Sequence, residues 1–386
     1  MWRNPVYVIL KNPVICRIAK QLYAERIAFV AFGGYFIMNN QIEKYQGFKA
    51  ELAIAETFAE IKLIESKAAA VAEFGKRDKV GLTEQNQWGK FRIKIEAKKG
   101  AWLDEKFPHG GDKKASSADT NLKKEGITPD ESSNARLVAR ESELVNKIMA
   151  DIETKNKVIT PSAVASELRK KQKEILREEK AAEGKKIKLP QTIDLRLGDF
   201  KKVLADIPDN SIDLLLTDPP YLLEFIDCWS ELSAFAEKKL KPSGFLIAYS
   251  GQMNLPEVLK RLSENLIYYW TFCLYHVGPT QIVNGVNVIC RWKPILIYQK
   301  TPRKKFEQTK QDYIESETRQ KSGHDWQQGE SAIKKLIELF SIEGDLICDP
   351  FTGAGTVPKM CKETNRNFKG AEIEPLTFNI AKANIK

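Results

Sequence analysis

The chain has 386 residues, of which 42% are apolar and 29% are charged. This length suits two or three domains with buried cores, and the composition excludes wholesale disorder. Lysine and arginine together number 61 against 51 for aspartate and glutamate, so the net charge is +10. A positive charge of this size biases a protein toward polyanionic partners.

The sequence gives little support for metals, disulfides or membranes. Its three histidines and six cysteines form no CxxC pair and no close cluster, which argues against a zinc site. Cys273, Cys290 and Cys348 lie in apolar runs, so we expect them to be reduced core residues of a cytoplasmic protein. No apolar run reaches the roughly 18–20 residues that span a bilayer. We therefore expect no metal and no membrane contact.

The sequence predicts four consecutive parts. Residues 1–38 lack a regular apolar period and form an uncertain N-terminal extension. Because an amphipathic pattern starts directly after it, we expect Met38 to be the true start. The remaining parts are a helical region, then a linker with a helix-turn-helix-like and charged helical region, then a catalytic domain; they occupy residues 39–107, 108–188 and 190–386.

Residues 39–107 have helical periodicity. Residues spaced three to four apart predict one helix face, with Glu and Lys on the other; they are Leu52, Ala55, Ala59, Leu63 and Lys67. A second helix is expected from the N-cap candidate Thr83, with Trp88, Phe91 and Ile95 on its buried face.

Residues 108–188 contain the signals of a helix-turn-helix. Gly126 suits the turn, Thr128 the cap and Pro129 the first position of the next helix. That helix carries short polar and basic side chains of the kind that reach base edges and phosphates: Ser132, Ser133, Asn134, Arg136 and Arg140. The segment resembles the small helix-turn-helix units of plasmid and phage proteins, although an ordinary helical hairpin would show the same signals.

From Pro190 onward, runs of Ile, Leu and Val alternate with helical stretches. This pattern predicts an α/β domain with a mostly parallel, Rossmann-like sheet and helices on both faces, preceded by a mainly α-helical N-terminal half. The predicted strands are Ile193–Leu197, Ile212–Thr217, Phe245–Tyr249, Ile295–Tyr298 and Leu346–Cys348.

The predicted strand that ends at Thr217 is followed by Asp218-Pro219-Pro220-Tyr221. Consecutive prolines cannot continue a sheet, and they fix the loop at the carboxyl end of the strand, where α/β sheets bind ligands. A carboxylate and free carbonyls suit an exocyclic amino group, and a tyrosine ring suits a stacked base. A stiff turn without further function would also explain this tetrapeptide taken alone.

A second strand-to-helix turn runs from Asp349 to Thr356 as DPFTGAGT. Its glycines let the backbone approach a ligand closely, and the helix that follows favours a carboxylate at its N-terminus. Pro358 stands where the third glycine of a dinucleotide fingerprint would be, so that motif is incomplete. Glu372 follows at the end of the next strand, a position that suits ribose hydroxyls.

DPPY, FxGxG and the downstream GxE together resemble the S-adenosylmethionine-dependent amino-methyltransferases of DNA, over roughly residues 192–386. The order, with DPPY first and FxGxG last, matches their β group. By this resemblance the catalytic residues would be Asp218, Pro219, Pro220 and Tyr221. The cofactor-binding residues would be Asp199, Phe200, Asp349, Phe351, Thr352, Gly353, Gly355 and Glu372.

The resemblance also implies roles for these residues. Asp199 and Phe200 would contact the adenine of the cofactor, Phe351 and Gly353 its methionine side, and Glu372 its ribose. One departure concerns residues 324–329, HDWQQG, where the family often has His-Pro-x-x-Lys-Pro with the lysine near the cofactor carboxylate.

The resemblance implies N6 of adenine in DNA as the methylated atom, since Asp rather than Ser heads the tetrapeptide. Two alternatives remain: an N4-cytosine methyltransferase, and a DNA-binding regulator whose methyltransferase domain is degenerate. The sequence leaves open whether the protein forms a homodimer, and whether a restriction enzyme is paired with it.

Overall fold

The computed structural model describes residues 35–77, 80–108, 122, 126–277, 281–283, 285–306, 309–316 and 327–386. The chain divides into two compact units, one ending at Gln172 and the other running from Lys173 to Lys386. In the described ranges no helix has the length and apolarity that a bilayer crossing requires. The four predicted parts and the start at Met38 stay predictions, since residues 1–34 and 109–121 lie outside the described residues.

The first unit is helical. Its helices are α1 Tyr35–Ile54, α2 Phe58–Arg77, α3 Leu82–Lys106, α4 Pro129–Arg140, α5 Ser142–Thr154 and α6 Pro161–Lys185, the last of which contains the boundary between the units. The predicted apolar face is wrong beyond Ala55, because the chain leaves the helical conformation between α1 and α2 and the buried face changes register. Leu63 is therefore 52% exposed, whereas Ile61 and Ile64 are buried.

The second predicted helix is confirmed as α3. Trp88, Phe91 and Ile95 are buried in one cluster with residues of α1 and α2. The predicted cap is wrong, because α3 begins at Leu82 and has Gly81 as its N-cap.

The predicted turn and cap before α4 are confirmed. Gly126 has φ +66°, and Thr128 accepts a hydrogen bond from the Glu131 N–H at 3.2 Å. The interpretation of Arg136 as a DNA-contacting residue is wrong, because this side chain is 4% exposed and donates to Asp104 Oδ1 at 2.7 Å. Arg140 donates to the same carboxylate, so α4 is joined to α3 through its basic side chains.

The second unit contains an eight-stranded sheet in the order β1-β10-β9-β2-β3-β7-β4-β8 and a separate hairpin, β5-β6. The strands are β1 Ile193–Leu197, β2 Ile212–Thr217, β3 Leu240–Tyr249, β4 Ile267–His276, β5 Gln281–Val283, β6 Val288–Cys290, β7 Trp292–Gln299, β8 Tyr313–Ser316, β9 Leu346–Asp349 and β10 Asn367–Glu372. The helices are α7 Phe200–Val203, α8 Asp227–Lys239, α9 Leu255–Leu262, α10 Gln327–Phe340, α11 Thr356–Glu363 and α12 Pro375–Ile385.

The sheet is mostly parallel, as predicted. Strands β1, β10, β9, β2 and β3 are parallel neighbours, and only β7 runs antiparallel, between β3 and β4. Each face is covered by a buried cluster; Leu214 and Leu216 belong to one, and Leu215 to the other. This alternation along β2 is what a strand buried on both faces requires.

The cysteines of the second unit differ from the sequence-based expectation. Cys348 is buried in the core, but Cys273 and Cys290 are only half-buried, because they lie on β4 and on the β5-β6 hairpin. All five described cysteines are free thiols.

Candidate active site

Two sequence motifs that lie more than a hundred residues apart meet at the carboxyl edge of the sheet. Strands β2 and β9 are parallel neighbours, with Leu215 opposite Cys348. The loops that follow these strands therefore leave the sheet side by side. Thr217 Oγ1 joins the two strand ends by donating to Asp349 Oδ1 at 2.6 Å.

Asp349 is the buried acid of this edge, with 2% of its surface exposed. Burial raises the pKa of its carboxyl group to about 7, and hydrogen bonds from Thr217 and from the Phe351 N–H offset part of that rise. The Asp349 carbonyl oxygen in turn accepts from Thr352 Oγ1 at 3.0 Å, which fixes the turn that follows β9.

The two glycines of this turn have positive φ angles, +55° at Gly353 and +88° at Gly355. A Cβ on Gly355 would lie 2.9 Å from Ala381 Cα, so this glycine permits the close packing of α12. A Cβ on Gly353 would meet no atom nearer than the Phe351 carbonyl oxygen, at 3.9 Å. The backbone at Gly353 is thus open to close approach by a ligand.

Glu372 lies at the end of β10, beside the turn. Its Oε2 accepts from the Gly353 N–H at 2.9 Å and its Oε1 from the Glu374 N–H at 2.8 Å. Burial raises the pKa of this carboxyl group. A carboxylate has about four lone-pair sites, so it retains capacity to accept further hydrogen bonds.

The loop after β1 completes this side of the edge. The Gly198 N–H donates to the Glu372 carbonyl at 2.9 Å, and the rings of Phe200 and Phe351 lie 5.2 Å apart. Asp199 caps α7 by accepting from the Lys201 N–H at 3.0 Å. The structure therefore brings together the three loops that carry the predicted cofactor-binding residues.

The Asp218–Tyr221 loop is held by its carbonyl groups. The Pro220 carbonyl accepts from Trp229 Nε1 at 3.3 Å, and the Tyr221 carbonyl from Asn254 Nδ2 at 2.9 Å. In the described part of the chain no donor reaches the Pro219 carbonyl oxygen. The buried Tyr221 hydroxyl also has no partner among the described residues.

Lys293 is a residue of this site to which the sequence assigned no role. Its Nζ lies 3.1 and 3.2 Å from the two carboxylate oxygens of Asp218. The same ammonium lies 4.5 Å from the centroid of the Tyr221 ring and 5.1 Å from that of Tyr249. The surrounding protein raises the pKa of Asp218, and the Lys293 charge offsets part of that rise.

The departure at residues 324–329 lies mostly outside the described residues. These exclude residues 317–326, which contain His324, and the side chains of Gln327 and Gln328 at the start of α10. Among the described residues no three His, Cys, Asp or Glu side chains come together as a metal site would require.

Comparison with known proteins covers the same part of the chain. Residues 212–383 match a family model described as DNA methylase. The chain is 27% identical over 224 residues to the type II methyltransferase M.HpaI of Haemophilus parainfluenzae, covering 47% of this chain and 70% of that protein. It is 26% identical over 238 residues to M.BglII of Bacillus subtilis, covering 48% of this chain and 66% of that protein.

Two solved structures each align with half of this chain. The M1.HpyAVI–SAM complex gives a TM-score of 0.42 at 20% identity and covers 50% of this chain and 99% of that chain. The cytosine-N4-specific PvuII DNA methyltransferase gives a TM-score of 0.43 at 18% identity, with 50% of this chain and 86% of that chain covered.

Proposed function

We propose that the carboxyl-terminal unit, which contains the residues matched by the DNA methylase family model and resembles the β group of DNA amino-methyltransferases, transfers a methyl group from S-adenosylmethionine to N6 of adenine in DNA. The observation that carries this proposal is the Thr217–Asp349 hydrogen bond of 2.6 Å, because it joins the strand end of the Asp-Pro-Pro-Tyr loop to that of the glycine turn. A methyl donor and an acceptor base held by these two loops would lie next to each other.

The residues on the glycine-turn side fit S-adenosylmethionine. Glu372 offers free lone pairs for ribose hydroxyls, the bare backbone at Gly353 allows close approach, and Phe200 and Phe351 form an apolar aromatic wall. Asp199, Thr352 and Gly355 hold the loops that carry these groups. The bound cofactor would supply an electrophilic methyl group on a sulfonium; the protein would supply its orientation.

The residues on the other side fit an amino group attached to a flat base. The lone pair of such a nitrogen is delocalised into the ring, so it is a weak nucleophile. Asp218 and the Pro219 carbonyl would accept its two protons and draw the lone pair out of the ring. The base must leave the duplex stack, at a few kcal/mol, and stacking on Tyr221 would return about 1–3 kcal/mol.

Adenine is the proposed target because Asp218 heads the tetrapeptide. Cytosine N4 is the alternative, since the matched family contains both specificities. A DNA substrate also agrees with the net charge of +10. Because the proposed substrate is DNA, we propose a cytoplasmic location. The degenerate-regulator alternative is not favoured by any contact of the described residues, because Arg136 of its suggested DNA-reading helix is buried.

The test is methyl transfer by an Asp218→Ala variant. We expect incorporation of labelled methyl groups into DNA to fall by about 100-fold or more, the size expected when an essential acid–base group is lost, while cofactor binding measured by calorimetry persists. Mass spectrometry of nucleosides from DNA treated with the wild-type protein would identify the product as N6-methyladenine or N4-methylcytosine.

Asp130→Ala, at an exposed position in α4, is the matched control and should retain full activity. Unchanged incorporation in Asp218→Ala would overturn the site assignment. Sequence-specific DNA retention by the wild-type protein, without methyl transfer at saturating cofactor, would instead support the regulator alternative.

A further inference from the structure

We propose that Lys293 is a positioning residue for methyl transfer, which holds Asp218 in its ionised, proton-accepting form. This inference rests on the proposed function. The observation behind it is that Lys293 Nζ lies 3.1 and 3.2 Å from both oxygens of the one carboxylate assigned to the target amino group.

The position of Lys293 follows from the topology of the sheet. Strand β7 runs antiparallel to β3, with Ile295 opposite Tyr249, so the first residues of β7 lie at the carboxyl edge of the parallel strands. The Ser250 N–H donates to the Pro294 carbonyl at 3.0 Å and ties this end of β7 to the end of β3. The Lys293 backbone is therefore fixed where its side chain can reach Asp218.

The ion pair leaves room for a substrate. The Asp218 side chain is 54% accessible, whereas that of Lys293 is 25% accessible. An ionised carboxylate has about four lone-pair sites, and one ammonium does not occupy them all. An amino group that enters from the open side can thus donate to Asp218 while Lys293 stays in place.

Among the described charged and titratable groups around Asp218, Lys293 is the cation that pairs with it. Tyr249 of β3 and Asp349 of β9 interact electrostatically with this carboxylate, and a negative charge on either would disfavour ionisation of Asp218. His276 at the end of β4 faces the ammonium, which together with burial lowers the pKa of this imidazole. Lys293 thus counters both the neighbouring acids and the partial burial of Asp218.

The experiment compares the pH dependence of kcat, at saturating DNA and cofactor, for wild-type protein, Lys293→Met and Lys293→Arg. Loss of an opposite charge at this distance raises the pKa of a carboxyl group by about 1–3 units. On the acid limb of the profile, kcat of Lys293→Met should therefore be about 10- to 1,000-fold below that of wild type at the same pH. It should recover toward the wild-type value at high pH, and Lys293→Arg should retain the wild-type profile.

Lys241→Met is the matched control, since it removes an ammonium that pairs with Asp213 at the opposite edge of the sheet. Its profile should superimpose on that of the wild type. A Lys293→Met profile that also superimposes, or one that is lowered equally at every pH, would overturn the positioning role. Because wild-type activity is measured in the same assay, absence of methyl transfer altogether would instead reject the proposed function.

Discussion

Replacing Asp349 by asparagine should remove a strong pH dependence from the stability of the carboxyl-terminal unit. In the folded protein burial raises the pKa of Asp349 from an ordinary value of 3.8 to about 7. At a pH between these two pKa values, Asp349 is ionised in the unfolded chain but still protonated in the folded chain. Stability therefore falls as the pH rises from about 4 to 7 and stays level above it.

The size of this effect follows from the pKa difference of roughly three units, each worth about 1.36 kcal/mol. Ionised Asp349 thus lowers the free energy of unfolding by about 4 kcal/mol above pH 7, of which roughly two thirds develops between pH 5 and 7. Asparagine keeps the Oδ1 atom that accepts from Thr217 and Phe351. Its unpartnered amide lowers stability by about 1–3 kcal/mol, but equally at every pH.

The assay is urea unfolding without cofactor at pH 5, 6, 7 and 8, with hydrogen exchange in peptides from β9 and β10 as the readout for this unit. The free energy of unfolding of Asp349→Asn relative to wild type should increase by about 3 kcal/mol from pH 5 to 8. Asp345→Asn, at a half-buried position before β9, is the control and should follow the wild-type curve. Parallel curves for wild type and Asp349→Asn would refute the reasoning.

Two further predictions concern close packing and buried charge. In Gly370→Ala the new Cβ would lie 2.6 Å from Thr352 Oγ1, so thermal unfolding should show that the free energy of unfolding falls by about 1–3 kcal/mol. The control is Gly47→Ala, at an open helical position, which should show no such fall. Lys99→Met removes an ammonium that is 2% exposed and 2.9 Å from Glu96, which should lower stability by about 3–5 kcal/mol. This loss of stability should be smaller at pH 5 than at pH 8. Burial already raises the pKa of Glu96, so at low pH this carboxyl group can take up a proton when Lys99 is absent. Equal losses at the two pH values would contradict the prediction.

The parts of the fold that sequence predicts best are the central parallel strands. The predicted strands Ile193–Leu197 and Ile212–Thr217 are confirmed at both ends. The second is a compact apolar run followed by Pro219, whereas the first alternates apolar and charged residues and is followed by Gly198. A short-period apolar pattern and a local stop signal are properties of the segment itself, so no knowledge of distant neighbours was needed.

The parts that were missed depend on distant neighbours. Strand β4 escaped prediction because its aromatic residues are not uniformly buried: Trp270 is 53% exposed and Phe272 is 2% exposed. Arg136 has the composition of a DNA-binding helix residue, but Asp104, which pairs with it, lies 32 residues earlier in the chain. Whether a basic side chain faces solvent or a carboxylate on a neighbouring helix is a tertiary property that periodicity does not report.

The same distinction separates the predicted from the missed residues of the candidate site. Asp218 follows a parallel strand, and Asp349 and Glu372 each end one; the rule that parallel strands end at one edge therefore places them together from the sequence alone. Lys293 is the second residue of an antiparallel strand, so its place at that edge follows only once β7 is known to lie beside β3. The end of β4 reaches this edge too, because β4 is antiparallel to β7. Further contacts to a substrate base are therefore to be sought at the amino end of β7 and at His276, where sequence motifs give no guidance.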